Sequence, residues 1–140
     1  MIQKFLEIKI ETNGQNLINI SQEIEKFVEN SGIKCGILNL SILHTSASLI
    51  IQENVSKDVL IDLENFFNKL VPMNENLYLH ILEGKDDMPA HIKTALTNTN
   101  LTLSIIENNL KIGIWQGIYL FEHRIEKHVR SIFCHMIGEI

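Results

Sequence analysis

Leu101-Thr102-Leu103-Ser104-Ile105, followed by Asn108-Asn109 and then by Leu110-Lys111-Ile112-Gly113-Ile114, is the stretch whose reading decides the fold. Apolar and polar residues alternate on both sides of a short polar break. This period of two marks a pair of half-buried strands, with Asn108-Asn109 predicted as the hairpin turn between them. Strands joined so tightly run antiparallel, because a parallel pair needs a crossover of a dozen residues or more.

The same alternation recurs upstream, where Leu6, Ile8 and Ile10 oppose Glu7, Lys9 and Glu11 in a first strand that ends at Asn13-Gly14. The period then lengthens. Ile20, Ile24, Phe27 and Val28 share a helical face between an Asn19 cap and a Ser31-Gly32 stop. Ile37 to Leu43 and Leu49-Ile50-Ile51 read as strands around the kink at His44-Thr45-Ser46. Val59, Leu60, Leu63, Phe66, Phe67 and Leu70 form the stripe of a second helix closed by Pro72. Leu77 to Ile81 is bulky and extended, a short helix is expected from Pro89 with Asp87 or Met88 as its cap, and Val129 to Ile137 is expected as the closing strand. These elements predict an α+β fold over residues 1–140, a single domain of largely antiparallel β-sheet with two to three helices.

Composition narrows the function classes. At 140 residues, 45% hydrophobic and two prolines, the chain suits one compact domain without staples. Cys35 and Cys134 stand apart with no Cys-x-x-Cys neighbour, which fits a reduced, cytoplasmic protein. The N-terminus offers neither a signal-peptide core nor a membrane span. A formal charge of −5 excludes a basic surface for nucleic-acid backbones. Neither nucleic acid nor membrane is an expected partner.

The chemistry concentrates between His80 and His91, where two imidazoles and the carboxylates of Glu83, Asp86 and Asp87 crowd a turn-like segment. Ionisable groups at this density exceed what a plain loop needs. His44, His80, His91 and His123 all stand near expected strand ends or loops, and imidazoles converging there could hold zinc with an open position for water. Glu53, Asp86 and Asp87 could instead hold Mg²⁺ or serve as acid and base, with Thr45, Ser46 and Arg124 gripping phosphate. A solvated acidic turn and surface ion pairs of Arg124 with Glu122 or Glu126 are the plainer alternatives.

His44-Thr45-Ser46-Ala47-Ser48, Gln52-Glu53-Asn54, Glu83-Gly84-Lys85-Asp86-Asp87-Met88-Pro89-Ala90-His91-Ile92-Lys93 and Gly113-Ile114-Trp115-Gln116-Gly117-Ile118-Tyr119-Leu120, in that order, resemble the motifs of the YjbQ-like family over nearly the whole chain. The resemblance implies a small α+β protein assembled as a homotrimer. It also implies a weak activity of the secondary thiamine-phosphate synthase kind on small, phosphorylated substrates, and a polar cleft shared between subunits. By resemblance that cleft maps onto His44, Glu53, Asn54, His80, Asp86, Asp87, His91, Gln116, His123 and Arg124. Within it, Glu53, Asp86, Asp87 and Gln116 are expected to be catalytic, Thr45, Ser46, Asn54 and Arg124 to contact substrate, and the four histidines to bind a divalent metal, Zn or Mg. The chain departs from the family pattern at Ser104, at Asn108-Asn109 and at Ile114, so the hairpin supplies no arginine for a phosphate. A metal-dependent hydrolase or lyase and a non-enzymatic metabolite-binding trimer are the other functions these residues allow.

Overall fold

The computed structural model describes residues 1–140 as two antiparallel sheets packed face to face, with the first helix against both and the other two on the smaller one. The elements run β1 (Ile2–Asn13), β2 (Asn16–Asn19), α1 (Ser21–Ser31), β3 (Cys35–Ile42), β4 (Ala47–Glu53), α2 (Lys57–Leu70), α3 (Asp87–Leu96), β5 (Asn100–Ile106), β6 (Asn109–Leu110), β7 (Gln116–Glu122) and β8 (Lys127–Glu139). A single 3₁₀ turn at Glu75–Leu77 follows α2. The larger sheet has the order β1-β8-β3-β5-β6 and the smaller one β2-β7-β4. The α+β architecture expected from the sequence is therefore present, and none of its helices is long and apolar enough to cross a membrane.

The core lies between the sheets. Leu38 and Leu40 of β3, Ile132 and Met136 of β8, Leu49 of β4 and Ile118 and Leu120 of β7 are fully buried there, together with Ile20, Ile24 and Val28 around α1. Tyr119 and Phe121 point the other way and pack under Leu60, Leu63 and Phe67 of α2. Covering β7 on both faces removes the apolar–polar alternation that betrays an ordinary strand. That is why this central strand escapes a reading based on period, as does the four-residue β2 beside it.

Four expectations need correction. Leu77 to Ile81 forms no strand: no sheet edge lies beside it to accept its backbone, and Leu77 and Leu79 face solvent. The hairpin turns one residue early, with Glu107 and Asn108 at φ 52° and 62°, the left-handed pair that a two-residue turn demands. Its second strand stops at Leu110, so Lys111 to Trp115 is irregular. Finally, α3 begins at Asp87 with neither Asp87 nor Met88 as its cap; Asp86 holds that position, but its side chain turns to Arg124 instead of capping.

Candidate functional site

Gly84 adopts φ +111°, a reversal that an L side chain resists, and it folds the 80–86 loop back over the start of α3. On α3, Asp87 and His91 are four residues apart and so share one face. The fold brings His80 Nε2 to 2.6 Å from Asp87 Oδ2, His91 Nε2 to 3.1 Å from the same oxygen, and Glu83 Oε2 to 3.3 Å from His80 Nε2. One ligand atom from each of these four residues lies within 4.8 Å of the others. Two imidazole nitrogens and two carboxylate oxygens suit a borderline divalent cation such as zinc or manganese better than Mg²⁺, which prefers oxygen alone.

Proton placement sharpens this. His91 Nδ1 sits 2.9 Å from the Thr45 carbonyl oxygen, which can only accept, so the ring carries its proton on Nδ1. In the neutral ring Nε2 is then a bare lone pair aimed at a carboxylate oxygen, and two acceptors face each other. Only a cation between them, proton or metal, resolves the conflict. Carbonyl support of the distal ring nitrogen is also how proteins orient metal-binding histidines.

Arg124 fixes the acidic side of the cluster. Nε donates to Asp86 Oδ2 at 2.9 Å, Nη1 to Asp87 Oδ1 at 2.6 Å and Nη2 to the Glu83 carbonyl at 3.0 Å. The guanidinium is thus spent on the loop rather than presented to a phosphate. Burial alone would raise the Asp87 carboxyl, but the hydrogen bond from His80 and the charges of Arg124 and His91 outweigh it and hold the group below the usual carboxylate range. The same contest, won by the Ile125 amide and Arg124, lowers Asp86. His80 is raised, chiefly by its hydrogen bond to Asp87.

The remaining expected residues separate into two further groups. His44 accepts the Ser131 amide at Nε2, 2.7 Å away, and His123 is buried with Nε2 2.9 Å from Ser48 Oγ; neither joins the His80–His91 cluster. Burial pushes His123 down to about 3, so it is a neutral core imidazole. Thr45 and Ser46 serve through their carbonyls, Thr45 to His91 and Ser46 to Arg130 Nη2. Glu53, Asn54 and Gln116 lie at the opposite end of the β4–β7 pair, where Glu53 is in register with Gln116, while Ala47 pairs with Glu122 at the cluster end. Six residues of strand separate the two ends, roughly 20 Å. Gln116 Oε1 accepts the Gly113 amide and Asn54 Nδ2 donates to the Ile114 and Gln116 carbonyls. One chain therefore does not assemble the whole expected cleft.

Sequence reasoning missed the support beneath the cluster. Glu122 is fully buried and accepts from Arg130 Nε at 2.7 Å, from Arg130 Nη2 at 2.5 Å and from Thr12 Oγ1 at 2.6 Å, while the His123 and Arg124 amides bond its second oxygen. Arg124 is held in place through this carboxylate. A charged pair inside the apolar runs of β7 and β8 was the available signal, since buried charges must be paired.

Comparison with known proteins agrees with this fold. The family described as "UPF0047 protein YjbQ-like" matches residues 6–139. A UPF0047 protein of Synechocystis is 47% identical over 131 residues, 94% of this chain and 89% of the relative. The UPF0047 protein YjbQ of Escherichia coli O157:H7 is 39% identical over 137 residues, 98% of each chain. Among solved structures, an uncharacterised conserved protein of the yjbq/upf0047 family from Clostridium acetobutylicum superposes with a TM-score of 0.86 at 32% identity, covering 94% of this chain and 99% of that one. The chain belongs to the YjbQ-like UPF0047 family.

Proposed function

We propose that this protein is a metal-dependent enzyme acting on a small molecule, with a divalent cation held by His80, Glu83, Asp87 and His91. The observation that carries the reading is the convergence of four ligand atoms within 4.8 Å of one another, among them His91 Nε2 and Asp87 Oδ2, a contact that a proton or a divalent cation would satisfy. A cation bound there supplies Lewis acidity and a water of lowered pKa. The protein's own groups do the rest: the Thr45 carbonyl orients His91, Arg124 orients Asp87, and exposed His80 and Glu83 leave one side open to substrate. Hydrolysis or elimination assisted by metal-bound water uses this donor set best. A thiamine-phosphate type of transfer would have to find its phosphate contacts elsewhere than Arg124, whose three donor nitrogens are engaged. The reading includes a homotrimer working in the cytoplasm.

Elemental mass spectrometry on tag-free protein tests the metal. Near-stoichiometric zinc, manganese or nickel in the wild type, lost in His80→Ala and in His91→Ala, is the expected result. A wild type that retains no metal from a zinc- and manganese-supplemented culture overturns it.

A further inference from the structure

Thr45 and Arg124, which aim His91 and Asp87, stand in two turns far apart in the chain, residues 43–46 between β3 and β4 and residues 123–126 between β7 and β8. Turns of this kind are ordinarily the mobile parts of a fold. These two are fastened to the start of β8. Both neighbours of Thr45 are held there: His44 Nε2 accepts the Ser131 amide at 2.7 Å, and the Ser46 carbonyl accepts from Arg130 Nη2 at 3.1 Å. The Arg124 amide donates to Glu122 Oε2 at 3.2 Å, and that same oxygen accepts from Arg130 Nη2.

One side chain is therefore common to both turns. Arg130, 3% exposed, carries two hydrogens on Nη2 and gives one to Ser46 and one to Glu122, while its Nε takes the other Glu122 oxygen at 2.7 Å. A stable core does not require such a pair, because apolar residues of similar volume in place of a buried ion pair are often no less stable. What the planar fork adds is direction, since its donors point along fixed lines.

We propose that Arg130 is a positioning residue of the His80–His91 cluster, acting on His91 through Ser46 and Thr45 and on Asp87 through Glu122 and Arg124, with no contact to either ligand. This rests on the metal site read above and adds the residue that keeps its two helix ligands in line. Without the fork, the Thr45 carbonyl is held on one side only, and Glu122 is free to swing with the Arg124 amide. Two properties then change together. The His91 Nδ1 proton loses its fixed acceptor, and metal affinity falls as it does when the support behind a ligand is removed.

The test uses Arg130→Lys, which keeps a positive charge beside Glu122 but not the fork, with circular dichroism to check the fold. Proton NMR of the metal-free protein is expected to show the His91 Nδ1 proton as a slowly exchanging resonance in the wild type and broadened by exchange in the variant. Calorimetric titration with Zn²⁺ is expected to show binding weakened about tenfold. Gly32→Ala, strained at the end of α1 and outside the cluster, should unfold at a lower temperature than the wild type yet change neither reading. Should Arg130→Lys not fold, Glu122→Gln combined with Arg130→Gln removes both buried charges at once and carries the same expectations. A His91 proton as sheltered as in the wild type, undiminished zinc affinity, or equal losses in Gly32→Ala would each overturn the assignment. A wild type that binds no zinc refutes the metal reading by itself, and the His91 proton, read without metal, then decides the role of Arg130.

Discussion

Asp87 divides its carboxylate between two tasks: Oδ1 lies 2.6 Å from Arg124 Nη1, while Oδ2 faces the His80 and His91 nitrogens. The arginine fixes the plane of the group, and the second oxygen is thereby aimed. Removing Arg124 leaves two shielded carboxylates, Asp86 and Asp87, without their cation.

Arg124→Gln is therefore expected to weaken zinc binding 10- to 100-fold, the usual cost of losing support behind a ligand. It should also lower stability by about 3 kcal/mol. Arg124→Lys keeps the charge but not the fork and should fall between the two. Isothermal titration with Zn²⁺ and urea unfolding measure both; equal zinc affinity in all three proteins would contradict the assignment.

His123 predicts an acid-sensitive fold. Its ring is pushed down to about 3 by burial, against an unfolded value near 6.5, so between these limits the unfolded chain binds the extra proton. Its contribution is fully present above pH 6.5 and is lost as pH falls toward 3. His44, also lowered by burial, acts in the same direction, whereas His80, raised by Asp87, stabilises at low pH and loses that effect as pH rises. Urea midpoints measured from pH 6.5 to 4.5 should drop more steeply in the wild type than in His123→Gln. The difference approaches about 1.4 kcal/mol per pH unit. Parallel slopes would show that His123 takes up its proton without unfolding.

Gly36 and Gly138 face each other across β3 and β8. A Cβ on Gly36 would intrude on the Ile137 carbonyl and the Gly138 Cα, both backbone atoms that cannot turn away. Gly36→Ala is expected to cost more than about 4 kcal/mol. Gly32→Ala, at φ 76° with open space around it, should cost only about 1–2 kcal/mol. Thermal unfolding of the two variants side by side decides whether the packing of these strands is as close as described.

The legible parts of this fold were those where one face is wet. Ile20, Ile24, Phe27 and Val28 announced α1, and Leu101, Leu103 and Ile105 announced β5, because polar residues mark the opposite face of each. The β7 strand hid because α2 dries its second face, and Gly36 looked like a strand boundary although it lies inside β3, where only glycine lets the neighbouring backbone approach. In the site, the crowding of His80, Glu83, Asp87 and His91 into one segment was readable, but the helical face that Asp87 shares with His91 was not, because the helix was expected to begin only at Pro89. The separation of Glu53, Asn54 and Gln116 from them was hidden too, because it depends on the antiparallel register of β4 with β7. Nor could spacing tell that Arg124 spends its donors on Asp86 and Asp87 or that His123 is a core residue.

The sheet order carries a consequence for synthesis. β1 pairs along its whole length with β8, Ile2 opposite Gly138 and Asn13 opposite Lys127, and its other edge has no strand. β1 is therefore made well before β8 and waits for it before it has a partner, and β3 waits with it along one edge. A nascent or prematurely terminated chain keeps a twelve-residue strand unpaired, an edge on which other chains can build. Closure of the larger sheet thus waits for β8 by topology, and loss of that strand converts β1 from the rim of a sheet into an adhesive.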